Sequence, residues 1–140
     1  MNGNRRPYPQ PREDGDNTAF LAAWRSGRVL LQRCDACGTT FFYPRPVCPH
    51  CWSERLSRRE STGRGRIVSF SLVHRPNDPA FNDEVPIVLA EVALAEGATM
   101  LARIVDCDPA AVTSDLEVEV PPNAAERGYP LPVFRPRLAM

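Results

Sequence analysis

The chain has no lysine: all 17 of its basic side chains are arginine, balanced by 17 Asp and Glu. That absence excludes a Schiff-base lysine and the phosphate-gripping lysine of a P-loop. Genome composition alone is enough to explain it. Long apolar runs are missing too. Nothing approaches the ~18 consecutive apolar residues of a membrane span, so a soluble, cytoplasmic protein is expected. Residues 1–16 are polar and Pro-rich, with no apolar segment of the kind a secretory signal carries. Arg5-Arg6 is not followed by an apolar stretch either, which argues against twin-arginine export. Histidine is scarce, with only His50 and His74. His74 ends an expected strand beside a loop, with no serine or cysteine placed as a nucleophile, and reads as structural. No persuasive general acid–base pair emerges.

Fifteen prolines and eight glycines point to short segments and turns rather than long helices. One domain with a small appended module fits the length. Charge is uneven. Residues 1–66 hold twelve arginines and six acids, and residues 67–140 hold five arginines and eleven acids, so the halves carry +6 and −6.

Four of the five cysteines fall in two short turns, Cys34-Asp35-Ala36-Cys37-Gly38 and Cys48-Pro49-His50-Cys51. Each C-x-x-C aims two sulfurs into one small volume, and four sulfurs at tetrahedral corners suit Zn²⁺. The β-branched and aromatic stretch Thr39–Tyr43 reads as a strand between two knuckles. This is a zinc ribbon, with Cys34, Cys37, Cys48 and Cys51 as ligands of a closed, structural Zn²⁺. Disulfides fit less well, given an odd cysteine total and no signal peptide. A redox C-x-x-C comes singly, beside a βαβ unit. Spacing does not separate Zn²⁺ from the iron of a rubredoxin knuckle. With four cysteines completing the site, His50 is expected to be an exposed knuckle residue. Cys107, between Asp106 and Asp108, has acids that raise a thiol pKa and is no nucleophile. Asp106, Asp108, Glu117 and Glu119 read as strand-end charges.

Residues 1–15 read as a flexible Pro-rich arm, or one that orders against a partner. Residues 16–26 read as a short helix, capped by Asp16 or Asn17 and ended by Gly27. Its apolar face of Phe20, Leu21 and Trp24 packs on the body or docks elsewhere. Strands are expected over 28–33 and 55–60, completing a helix-plus-ribbon unit over 16–60. From 61 to 140 the pattern is five strands: 65–73, 87–94, 99–105, 116–120 and a Pro-limited edge at 131–138. Gly63 and Gly65 suit a bulge or barrel corner. The fold class is mainly β: a short N-terminal helix, a rubredoxin-like zinc ribbon, then a five-stranded OB-type barrel. Phe81 and Tyr129, in Pro-rich loops, either line a binding surface or pack locally. The basic cluster Arg55, Arg58, Arg59, Arg64 and Arg66 is a solvated face or meets a phosphate-bearing ligand.

Several motifs recur in a fixed order: Trp24-Arg25-Ser26-Gly27, the two cysteine turns, then Ser61-Thr62-Gly63-Arg64-Gly65-Arg66-Ile67-Val68-Ser69-Phe70-Ser71. Pro86-Ile87-Val88-Leu89-Ala90-Glu91-Val92 and Leu131-Pro132-Val133-Phe134-Arg135-Pro136 follow. Over about residues 17–137 this resembles the bacterial and archaeal family of zinc-ribbon plus OB-fold proteins that accompany thiolase-like acyl-CoA enzymes. The resemblance implies a small, non-catalytic accessory subunit. Its partner is a thiolase, an acyltransferase, or a lipid-transfer-protein-like aldolase of sterol side-chain degradation, and that partner holds the catalytic groups. It also implies help in holding acyl-CoA, for which Arg58, Arg59, Arg64 and Phe81 are the candidate contacts. The competing class is a nucleic-acid-binding ribbon and OB module. Zero net charge, an acidic strand region and no platform of spaced aromatics speak against it.

Overall fold

In the computed structural model, residues 8–137 are described. The first seven residues of the expected arm, and the Leu138 end of the last expected strand, lie outside that range. The one α-helix among the described residues, α1 (Thr18–Arg25), buries Phe20, Leu21, Ala23 and Trp24. Eight residues are too few to hold a helix in water, so packing must supply the stability. Phe20 meets Phe42 edge-on, with centroids 4.6 Å apart. Trp24 Nε1–H donates to the Tyr129 carbonyl at 2.9 Å. The apolar face is therefore covered by the chain itself, and the alternative of a free docking helix does not hold.

The cap differs from expectation. Asn17 sits at the N-cap but makes no side-chain cap bond. Its Oδ1 accepts instead from the Asp14 N–H at 2.9 Å, while Asp14 Oδ1 accepts from Asp16 and Asn17 at 2.9 and 3.0 Å. The carboxylate that organises the start thus lies earlier than either Asp16 or Asn17. Gly27 ends the helix at φ +79°, and its N–H donates to Trp24 O at 2.7 Å.

The ribbon is a three-stranded antiparallel sheet in the order β2-β1-β3, from β1 (Leu30–Cys34), β2 (Thr40–Phe41) and β3 (Leu56–Glu60). The strand expected over Thr39–Tyr43 shrinks to two residues. Phe42 turns into the core, and Pro44 and Pro46 have no N–H to continue a ladder. Val29 and Leu31 are fully buried, in the same apolar cluster as the barrel core.

The barrel is closed in the order β4-β5-β6-β8-β7: β4 (Arg64–Val73), β5 (Ile87–Leu94), β6 (Thr99–Ile104), β7 (Glu117–Glu119) and β8 (Val133–Pro136). All five lie where strands were expected, trimmed by a residue or two at some ends. β6 and β8 run parallel, and the other pairs are antiparallel. Ile67, Val92, Met100, Val118 and Phe134 fill the interior.

The two glycines expected at a bend divide their roles. Gly63 takes the positive φ, at +79°. Gly65 crosses β5 so closely that a Cβ would lie 2.7 Å from Val92 Cγ1 and 2.8 Å from Ala93 O. The bulge itself falls at Val68, where the register steps from Ile67↔Val92 to Ser69↔Glu91.

Candidate metal centre and the surfaces around it

The sulfurs of Cys34, Cys37, Cys48 and Cys51 all lie within 4.8 Å of one another. Cys34 and Cys51 are 3.5 Å apart at sulfur, and Cys37 and Cys48 are 3.7 Å apart. A tetrahedron with Zn–S bonds of ~2.3 Å has edges of about 3.8 Å, so the cage matches. Two similar turns build it. Gly38 N–H closes the first onto Cys34 O at 2.8 Å, and Trp52 N–H closes the second onto Cys48 O at 2.9 Å. Cys48 Sγ accepts from the His50 and Cys51 N–H groups at 3.3 and 3.5 Å. The His50 ring is thus not needed, and the residue is exposed as expected.

The thiols do not titrate alike. At Cys34 burial opposes ionisation, but the N–H groups of Cys37 and Ala36 outweigh it and hold the thiol below its ordinary value. Thr39, through its hydroxyl and its N–H, brings Cys37 down to about 6. The Ser53 N–H favours ionised Cys51, yet Cys34, burial, Cys37 and Cys48 together push it up to about 12. Four thiolates this close repel one another until a cation sits among them. The donor set fits a soft divalent ion and offers no open position for substrate.

The four candidate ligand contacts are not gathered in one place. Arg58 and Arg59 are neighbours on β3, opposite Gln32 and Leu31 of β1, so they point to opposite faces of the ribbon sheet. Arg64 is exposed at the start of β4, opposite Glu119. Phe81 lies in the 3₁₀ turn Pro79–Glu84, beyond the far end of β4. There it is stacked by Tyr8, with centroids 5.3 Å apart, and Tyr129 stacks on the other face of Tyr8 at 5.4 Å. Phe81 and Tyr129 thus pack on the arm through Tyr8, and the same two residues also line an apolar cleft. Cys107 is raised by burial first, then by Asp106 and Asp108.

Sequence reasoning missed two apolar surfaces outright and touched a third only through Phe81 and Tyr129. Trp52, just after the last cysteine, is 79% exposed at the knuckle tip with φ +69°. Val68, Phe70 and Leu72 are bare along the outer half of β4. A cleft of about 400 Å³ runs between Leu89, Leu101, Leu131 and the Phe81 loop. The only signal for the second was the break in alternation between Ile67 and Phe70.

Two family models match adjoining parts of the chain: the ChsH2 rubredoxin-like zinc ribbon domain over residues 21–57 and the ChsH2 C-terminal OB-fold domain over residues 58–121. The solved structure titled Ltp2-ChsH2(DUF35) aldolase is 34% identical, with a TM-score of 0.74, covering 92% of this chain and 100% of that one. The chain belongs to the ChsH2 family. Two curated members of this kind are similar in sequence. A probable enoyl-CoA hydratase alpha subunit of Thermomonospora curvata is 36% identical over 128 residues, 91% of this chain and 40% of its own length. A DUF35 domain-containing scaffold protein of Methanothermobacter thermautotrophicus is 42% identical over 89 residues, 63% of this chain and 66% of its own. The chain therefore spans less than two thirds of either relative. Like other ChsH2 domains it joins ribbon to barrel, and among its described residues no helix is long and apolar enough to cross a membrane.

Proposed function

We propose that this ChsH2-family chain is a non-catalytic accessory subunit that docks on and stabilises a thiolase-like acyl-CoA enzyme in the cytoplasm. The partner is a thiolase, an acyltransferase or a sterol side-chain aldolase, as the aldolase and scaffold relatives suggest. One Zn²⁺ on Cys34, Cys37, Cys48 and Cys51 holds the ribbon and takes no part in chemistry. The exposed guanidinium groups of Arg58, Arg59 and Arg64 offer separate positive charges, rather than one pocket, to the phosphates of acyl-CoA. Phe81 contributes as part of the wall of the apolar cleft.

The observation that carries this reading is the bare half of β4. β7 pairs only with Arg64 to Arg66. Beyond Ile67, no described strand pairs with the edge of β4 that faces away from β5. Val68, Phe70 and Leu72 are 49%, 38% and 39% exposed along that stretch. An apolar strand with an open edge is an association surface, and a subunit that covers it buries both features at once. The chemistry of Cys107 points the same way, since a thiol raised by burial and two acids is a poor nucleophile.

The test is affinity capture of the tagged full chain from its native host, with mass identification of what elutes. A thiolase-like subunit in stable proportion is expected. The pair Phe70→Asp and Leu72→Asp should release it while the melting curve stays cooperative. Elution alone, or with RNA that dissociates steeply with salt, overturns the reading.

A further inference from the structure

The Pro-rich arm enters the structure at Tyr8, and its ring is built into the barrel. Phe81 lies on one face at 5.3 Å and Tyr129 on the other at 5.4 Å, both within 27° of parallel. The Tyr8 hydroxyl donates to the Glu84 carboxylate, with Oε2 at 2.9 Å and Oε1 at 3.0 Å. Arg103 pairs with Glu84 at 2.7 Å, and both side chains are less than a fifth exposed. The same guanidinium lies 5.7 Å from the Tyr129 ring centroid. Its buried Nε has no hydrogen-bond partner among the described residues. Two flat walls, an acceptor at the depth of a phenol oxygen and a cation paired with that acceptor are the parts of a tyrosine-recognition slot.

Past Tyr8, the described contacts of the arm are exposed ones. From Pro9 to Glu13 the described bonds are local or reach only α1 and its cap: Gln10 to the Tyr8 carbonyl, the Asn17 amide to the Arg12 carbonyl at 2.9 Å, and Glu13 to an exposed Arg25. Prolines flank Tyr8 on both sides in the sequence, and a proline biases the residue before it toward extended backbone, which lowers the entropy lost on docking. A segment whose other described bonds are exposed to solvent opens and recloses readily.

We propose that Phe81, Tyr129, Glu84 and Arg103 form an exchangeable recognition site for a tyrosine carried on an extended, proline-flanked peptide. Tyr8 fills it in cis, and a peptide of the same chemistry fills it in trans. The site does not depend on the accessory-subunit reading.

The full chain with Tyr8→Ala empties the slot. It is titrated with a synthetic peptide of residues 7–14, followed by the amide resonances of Phe81, Glu84, Arg103 and Tyr129. Saturable shifts are expected, about tenfold weaker when the peptide carries Phe in place of Tyr, and none when it carries Ala. Equal binding of the Ala peptide, or no saturable shift, overturns the proposal. The wild-type chain carrying 3-fluorotyrosine covers the case in which Tyr8→Ala does not fold. Its Tyr8 resonance, assigned with Tyr8→Phe, should be displaced by the flanking rings and should move toward the free amino acid in Glu84→Gln. A wild-type Tyr8 signal already at the free position sinks the slot.

Discussion

The Glu96 carboxylate accepts from the Ser61 hydroxyl at 2.8 Å. Its other oxygen accepts from the Thr62 N–H, also at 2.8 Å. Ser61 in turn receives the Gly63 N–H at 3.0 Å, and it is the one buried polar residue among those described. One side chain in the β5–β6 turn thus fixes the segment that links ribbon to barrel. Glu96→Ala leaves Ser61 without that acceptor, and about 1–3 kcal/mol of stability should be lost. Urea unfolding of both proteins at neutral pH measures it.

The same contact sets a pH dependence. Burial opposes ionisation of Glu96, but the Thr62 N–H and Ser61 hydroxyl outweigh it and hold its carboxyl below the ordinary 4.5. The folded form therefore binds its proton less readily than the unfolded one. The stabilisation is fully present above 4.5 and fades as pH falls through the lower, folded value. The stability gap between wild type and Glu96→Gln should narrow in acid. A gap that widens in acid contradicts the assignment.

Metal content and folding should move together. One Zn²⁺ per chain and a colourless protein are expected by elemental analysis, whereas iron would colour it. Metal binding supplies about 10–16 kcal/mol in small zinc peptides. Chelation, or Cys48→Ser, should therefore melt the ribbon. Val29, Leu31 and Phe42 share one apolar cluster with the barrel. Near-ultraviolet circular dichroism should then report loosening of the barrel as well, not of the ribbon alone.

Gly65→Ala should cost about 1–3 kcal/mol, because the added methyl meets a backbone oxygen that cannot turn aside. Gly15→Ala, whose added methyl would have nothing within 4 Å, is the matched control and should be near neutral. Thermal melts of the two distinguish crowding from a general glycine effect.

Trp24→Phe removes the donor to the Tyr129 carbonyl and should cost about 1–3 kcal/mol. Because Tyr129 is also a wall of the Tyr8 slot, the fluorotyrosine signal of Tyr8 should shift in this variant.

Much of this was legible in the chain. Cysteine spacing alone placed the cage, because two C-x-x-C turns leave little freedom. The apolar pattern placed the barrel strands, by alternation at 65–73 and 116–120 and by a nearly continuous run at 87–94. It did not reveal that β8 lies between β6 and β7, since nothing in Val133–Pro136 encodes its neighbours. The Asp14 turn was hidden behind a better-looking cap at Asn17. Tyr8 meets Glu84 across 76 residues. A Pro-rich composition says only that an arm cannot fold alone, not that one ring finds a pocket in the body. The step from Ile67 to Phe70 did carry a sign of the bulge at Val68, disguised as imperfect alternation.

The position of β8 also sets an order of assembly. The ribbon sheet closes within Leu30–Glu60, from contacts near one another along the chain. The barrel joins Arg64 to Glu119 and then needs Val133–Pro136 to bridge β6 and β7. Long-range pairing is slow, because loop entropy is lost before the contacts repay it. On the ribosome the metal cage is available early, while β4 to β7 wait as an open sheet for the last strand to emerge. Through that interval Ile67, Val92 and Met100 lack their lid, and an already folded ribbon is the one rigid body on which α1 and the waiting strands are able to gather.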